Sequence, residues 1–120
     1  MLVNLTNHPS TKWDDKQLNE AKMLYSEIMD IQFPNVSPEF TQEDIDRLGD
    51  EYLDKILSID SKTPKIVHIM GEMSLTFNLI NKLKQHDIPC VASTTQRNVE
   101  ELEDGSKVVK FQFVQFRPYF

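Results

Sequence analysis

A chain of 120 residues with 39% hydrophobic and 27% charged side chains reads as one globular domain, residues 1–120, long enough to bury its own core. No apolar run nears the ~20 residues of a membrane span. The opening MLVNLTNHPS lacks the basic and apolar regions of a secretory leader, and a lone Cys90 rules out an internal disulfide or a zinc finger. A reducing cytoplasm is the expected compartment. The formal net charge of −6 disfavours a long nucleic-acid partner, whose binding rests on many cations releasing counterions. Between Asp14 and Asp60 there are 13 acidic against 4 basic residues, which reads as a solvated acidic surface. Any anion site belongs elsewhere on the chain.

The elements alternate. Leu2–Thr6 (LVNLT) has strand composition, and Asn7-His8-Pro9-Ser10 is turn chemistry. Asp14 reads as a helix N-cap, with Gln17 completing a capping box. Leu18, Ala21, Leu24, Tyr25 and Ile28 follow at helical spacing, so a helix is expected over about 15–27. Residues 28–33 alternate as a second strand, and Pro34 and Pro38 punctuate a loop. Thr41 and Asp44 cap a second helix over about 41–59, whose stripe is Ile45, Leu48, Tyr52, Ile56 and Ile59. Gly49 inside it weakens that helix by about 1 kcal/mol relative to Ala.

Lys65–Met70 (KIVHIM) is the nearly continuous apolar run of a strand covered on both faces. Gly71 follows, then a third helix carrying Leu75, Phe77, Leu79, Ile80 and Leu83. Residues 88–93 make a fourth strand, with Pro89 at its start because proline lacks a ladder donor. Val99–Leu102 and Val108–Phe116 flank Glu103-Asp104-Gly105, a hairpin signal. Simple alternation puts Val109, Phe111 and Phe113 on one face of the last strand and Val108, Val114 and Phe116 on the other. The expected fold class is α/β: a small Rossmann-like or flavodoxin-like, mostly parallel sheet, helices on both faces, and a C-terminal antiparallel hairpin.

In such sheets ligands bind beyond the carboxyl ends of the strands. Three segments meet that condition: Asn7 to Trp13, Gly71 to Thr76, and Ser93 to Arg97. The second has the firmest physical warrant for an anion. Gly71 allows close backbone approach, the helix start offers free N–H groups and about half a positive charge, and Ser74 and Thr76 add hydroxyls. Glu72 opposes an anion but suits ribose hydroxyls, while Ser74 equally suits a plain helix cap. His8 can orient a hydroxyl or move a proton, or serve only its turn. Lys12 and Arg97 are the available cations, and Trp13 can stack on a base or cover the first helix. His68, inside KIVHIM, reads as a satisfied core histidine, His86 as a helix C-terminal dipole partner, and Cys90 as a small core hydrophobe. No dinucleotide fingerprint, phosphate loop, nucleophile elbow or paired-histidine spacing is present, which disfavours dehydrogenases, P-loop NTPases, α/β-hydrolases and zinc enzymes.

Several strings together carry a resemblance. Asn4 to Ser10 with Trp13 and Gln17, Asp30 to Pro34, His68 to Met73, Ala92 to Arg97, and Phe113 to Arg117 resemble small CRISPR-associated proteins, akin to the CARF-like Rossmann-type sensors and stand-alone ring nucleases of type III antiviral defence. That resemblance implies a homodimer that binds cyclic oligoadenylate at the carboxyl edge of the sheet. It implies metal-independent cleavage with no cofactor, in which a ribose 2′-OH attacks the adjacent phosphate and leaves a 2′,3′-cyclic phosphate. By the resemblance, His8 and Ser10 are the catalytic candidates. By the same resemblance Asn7, Gly71, Glu72, Met73, Ser74, Thr94, Thr95 and Arg97 are ligand-binding candidates, and Lys12, Trp13, Thr76 and Ser93 join them from their place in the three segments. Gln96 and Gln115 depart from the charged residues expected there, which puts a charge-based role at those positions in doubt. Two other readings stay open: a sensor or sponge that binds the ring without cleaving it, and an interaction subunit whose strings are core and caps.

Overall fold

The computed structural model describes residues 1–120. The elements are β1 (Leu2–Thr6), a 3-10 turn (Ser10–Lys12), α1 (Asp15–Tyr25), β2 (Ile28–Gln32), α2 (Gln42–Leu57), β3 (Ile66–Ile69), α3 (Met73–Gln85), β4 (Cys90–Glu101) and β5 (Lys107–Pro118). They form one five-stranded sheet in the order β2-β1-β3-β4-β5, parallel except for the β4–β5 pair. This is the flavodoxin-like order, and its switch point lies between β1 and β3.

β1 is an interior strand, buried along its whole length because helices cover both faces of the sheet. Val3 and Leu5 meet Ile45, Leu53 and Ile56 of α2 and Leu75, Leu79 and Leu83 of α3 on one side. Leu2 meets Ala21 of α1, Val91, Phe113 and Phe116 on the other. The caps follow local sequence. Thr41 and Asp44 form a reciprocal box at the start of α2, and Asp14 accepts from the Gln17 amide at 2.8 Å to start α1. α1 ends at Tyr25, earlier than its apolar spacing predicts, because Ser26 takes a positive φ of 69°. Gly49 has a packing reason. A Cβ there would lie 2.1 Å from the Asn78 side chain of α3, so the two helices approach closely at this point. Lys82 of α3 then reaches back to Asp46 at 2.7 Å and Asp50 at 2.6 Å.

Two expectations need correcting. The strand expected at 88–93 and the hairpin arm expected at 99–102 are one strand, β4, which pairs with β3 only through Cys90 and Val91. The remainder of β4 pairs with β5 alone and projects past the carboxyl edge as a two-stranded ribbon. The ribbon lengthens the molecule, whose radius of gyration is 16.2 Å against the ~14 Å of a compact chain this long. The second correction concerns β5. Thr94 pairs with Gln115 and Thr95 with Phe113, so Val114 is the extra residue of a β-bulge. The bulge reverses the alternation. Phe113 and Phe116 therefore share one core, with ring centroids 4.9 Å apart, instead of facing opposite sides.

Candidate functional site

A cleft of about 650 Å³ opens at the carboxyl edge, beside the switch point. Its walls come from three places: Asn7, His8, Lys12 and Trp13 after β1, Met70 and Gly71 after β3, and Ser93, Thr95, Phe111 and Phe113 on the ribbon. His68 lies within the same lining.

Beneath the cleft runs a row of polar side chains. Asp30 of β2, Asn4 of β1 and His68 of β3 are register partners across three parallel strands. The Asn4 amide donates to Asp30 at 2.8 Å and to the His8 carbonyl at 2.9 Å. Its oxygen faces His68 Nδ1 at 2.8 Å and accepts from the Thr6 hydroxyl at 3.0 Å. Because the amide nitrogen is committed to two acceptors, the oxygen is what meets the imidazole, and Nδ1 must carry the proton. Asp30 also accepts from the Ser10 amide at 3.0 Å and hydroxyl at 2.7 Å. Burial alone would raise the Asp30 pKa, but the hydrogen bonds from Asn4 and Ser10 outweigh it and hold the carboxyl below its ordinary value. His68 is only 2% exposed, and burial pushes its pKa down to about 4, so the ring is neutral. Its Nε2 is buried and has no hydrogen-bond partner. Trp13 and Phe116 pack edge-on against the imidazole at centroid distances of 5.6 and 5.4 Å.

The structure brings together seven of the residues singled out from sequence: Asn7, His8, Lys12, Trp13, Gly71, Ser93 and Thr95. His8 is exposed, and its backbone carbonyl anchors the loop by accepting from the Asn4 amide and the Trp13 indole. Asn7 accepts from Gln32 at 3.0 Å, and Ser93 donates toward the Met70 sulfur at 3.3 Å. Arg97 pairs with Phe111 across the ribbon and so shares the face that carries Phe111 to the cleft. Thr94 is turned away, with its hydroxyl against the Gln115 backbone at 3.3 Å. Ser10 is tied to Asp30 and lies outside the lining.

The anion cradle expected at the start of α3 is already filled. Glu72, not Ser74, is the N-cap, and its carboxylate accepts from the Ser74 amide, the Leu75 amide and the Ser74 hydroxyl at 2.7–2.8 Å. Hydrogen bonds from the Leu75 and Ser74 amides hold the Glu72 carboxyl below its usual range. The helix charge that would attract a phosphate is spent on the chain's own carboxylate. Gly71 is likewise explained by packing, since a Cβ would stand 2.5 Å from the Phe33 ring. Met73 and Thr76 lie outside the cleft and line an adjoining apolar cavity of about 590 Å³ with Phe77, Tyr119 and Phe120, the two sharing Met70 and Gly71. A cavity of about 820 Å³ between α2 and α3 includes Ser74, but its charged groups are Lys82 and the two aspartates that already pair with it. No group of three or more His, Cys, Asp and Glu converges as a metal ion would require.

Sequence reasoning took His68 for a satisfied core histidine, whereas its Nε2 is unpartnered, and it gave Asn4 and Asp30 no role of their own. The available signal was one polar residue inside each of three apolar strands, LVNLT, IMDIQ and KIVHIM, and it acquires meaning only once the register is known.

The chain is thus a flavodoxin-like α/β protein with a partly aromatic cleft at its switch point and a ribbon standing over it. Residues 1–117 match the family described as the uncharacterized protein MJ1673 family, and the chain belongs to it. No curated protein and no solved structure matches the chain. No helix is long and apolar enough to cross a membrane.

Proposed function

We propose that the cleft binds a small nucleotide, a cyclic oligoadenylate, and that the protein cleaves it without metal by attack of a ribose 2′-OH on the neighbouring phosphate. The observation that carries this reading is the cleft itself. At the switch point it gathers an exposed imidazole (His8), a lysine (Lys12), two hydroxyls (Ser93 and Thr95) and the rings of Trp13, Phe111 and Phe113. Aromatic faces suit bases, and hydroxyls with a cation suit phosphates. The sequence resemblance to type III CRISPR ring nucleases supplies the identity of the ligand. In this reading His8 stands nearest the reacting hydroxyl, and the protein's task is alignment and charge stabilisation. Lys12 and Arg97 are few cations for a ring of phosphates. A homodimer would double them about its two-fold axis. Exposed Met73 and Phe77, in the first turns of α3, agree with such an association.

A second reading, binding without turnover, is favoured by two particulars. The amides at the start of α3 are engaged by Glu72, and Ser10 is engaged by Asp30, so fewer free donors remain for charge developing on phosphorus. Incubation with cyclic tri-, tetra- and hexa-adenylate in EDTA, read by liquid chromatography and mass spectrometry, separates the two. Linear products ending in 2′,3′-cyclic phosphate establish the nuclease. Intact ligand with a raised melting temperature establishes the sensor. An absence of both cleavage and stabilisation overturns the ligand class.

A further inference from the structure

We propose that His68 reads the exocyclic amine of an adenine base held in the cleft, accepting its hydrogen bond at Nε2. This deepens the adenine-nucleotide reading above and rests on it. The argument begins with the row across the sheet. Asp30 and the His8 carbonyl hold both donors of the Asn4 amide, at 2.8 and 2.9 Å. The Asn4 oxygen therefore holds the proton on His68 Nδ1, at 2.8 Å. An imidazole fixed in that tautomer presents a bare lone pair at Nε2.

Nε2 is buried without a partner, although the residue belongs to the cleft lining. A buried acceptor left unpaired is costly and is retained where something else completes it. The surroundings state what that partner must be. Trp13 and Phe116 flank the imidazole edge-on, with interplanar angles of 76° and 80°. The Trp13 indole N–H is already committed to the His8 carbonyl at 3.1 Å. A flat, aromatic ligand that carries one donor fits a lone acceptor among rings. Adenine has that donor at its amine. Hypoxanthine and guanine place a carbonyl oxygen at the same position, where it would face the lone pair. Nε2 itself is covered, so a base reaching it must displace part of the cleft lining.

His68 acts here as a specificity residue. Its buried, weakly basic ring is unsuited to taking a proton from a 2′-OH, and it holds the base while the reacting groups lie elsewhere.

The test compares cyclic tetra-adenylate with cyclic tetra-inosinate, in wild type and in His68→Phe. Binding is followed through Trp13, the only tryptophan of the chain. Wild type is expected to bind the adenylate ring about tenfold or more tightly than the inosinate ring, and His68→Phe to bind the two alike. Tight binding of both rings by wild type overturns the role of His68 and leaves the nucleotide reading standing. Binding of neither ring by wild type overturns both. A second measurement needs no ligand and no variant. Nitrogen-15 spectra of the free protein should show His68 protonated at Nδ1, and a proton at Nε2 overturns the proposal whatever the affinities.

Discussion

Gly71 offers the sharpest separation of structure from function at this site. Its position after β3 suggests a glycine kept small for a ligand, whereas the structure keeps it small for Phe33. A Cβ at residue 71 would lie 2.5–2.6 Å from three carbons of that ring, about 1 Å inside ordinary carbon contact. Phe33 is 3% exposed and belongs to the main core, so the ring has little room to retreat. Overpacking of this kind costs about 1–3 kcal/mol. Replacing glycine also stiffens the unfolded chain, which offsets about 0.4–1 kcal/mol. Gly71→Ala should therefore lose about 1–2 kcal/mol. For a chain this long the unfolding entropy is about 0.25 kcal/mol per kelvin, so the melting temperature should fall by about 4–8 °C. Thermal unfolding followed by circular dichroism checks this. Phe33→Leu in the same chain should restore part of the loss, because the two sites share one volume. A Gly71→Ala protein that melts with wild type, yet loses nucleotide binding, would refute the packing argument and return Gly71 to the ligand.

Other consequences are equally open to measurement. His68 is neutral when folded down to about pH 4, whereas an unfolded histidine takes its proton near 6.5, so the unfolded state binds more protons between those values. Stability should fall as pH drops from 6.5 towards 4, by about 3 kcal/mol in total from this group, and His68→Phe should flatten that part of a urea-midpoint profile. Asp30 and Glu72, both held below their ordinary values by hydrogen bonds, contribute stability above the unfolded carboxylate pKa that is lost on further acidification. Glu72→Ala strips the cap from α3 and should cost about 0.5–2 kcal/mol in chemical denaturation; an unchanged midpoint would mean that Ser74 caps instead. Gln96 and Gln112 are register partners, so an Asn-Gly turn in place of residues 97–111 should close the ribbon early. The core aromatics Phe113 and Phe116 are retained, and the melting temperature should stay within a few degrees. Nucleotide affinity should fall with the loss of Phe111 and Arg97; if it does not, the ribbon is no wall of the site.

Much of the architecture was legible because its signals are local. Strand composition marks β1 at Leu2–Thr6, the Thr41–Asp44 box starts α2, and Asp104-Gly105 turns the hairpin, each within a few residues of chain. The alternation of these elements, with a near-continuous apolar run in KIVHIM, is enough to call for a covered parallel sheet. Expecting a cleft beyond β1 and β3 needed only that topology. The length of β4 was not legible, because Ser93 to Asn98 is polar and looks like loop until a partner strand supplies its hydrogen bonds. Strand pairing is a contact between distant segments, and propensity alone does not report it.

The amino-acid sequence by itself determined the α/β class, the helix starts, and the set of loops from which the cleft is drawn. Tertiary structure alone decided which residues of those loops face the cleft and which serve the fold. Glu72 closed the helix terminus, Phe33 claimed the space at Gly71, and a bulge at Val114 turned two phenylalanines to one side. Above all, register set Asp30, Asn4 and His68 side by side, although His68 lies 64 positions from Asn4. A histidine's free nitrogen, and hence what it can read, is determined by the partner of its other nitrogen, and that partner is chosen by strand pairing across the whole sheet.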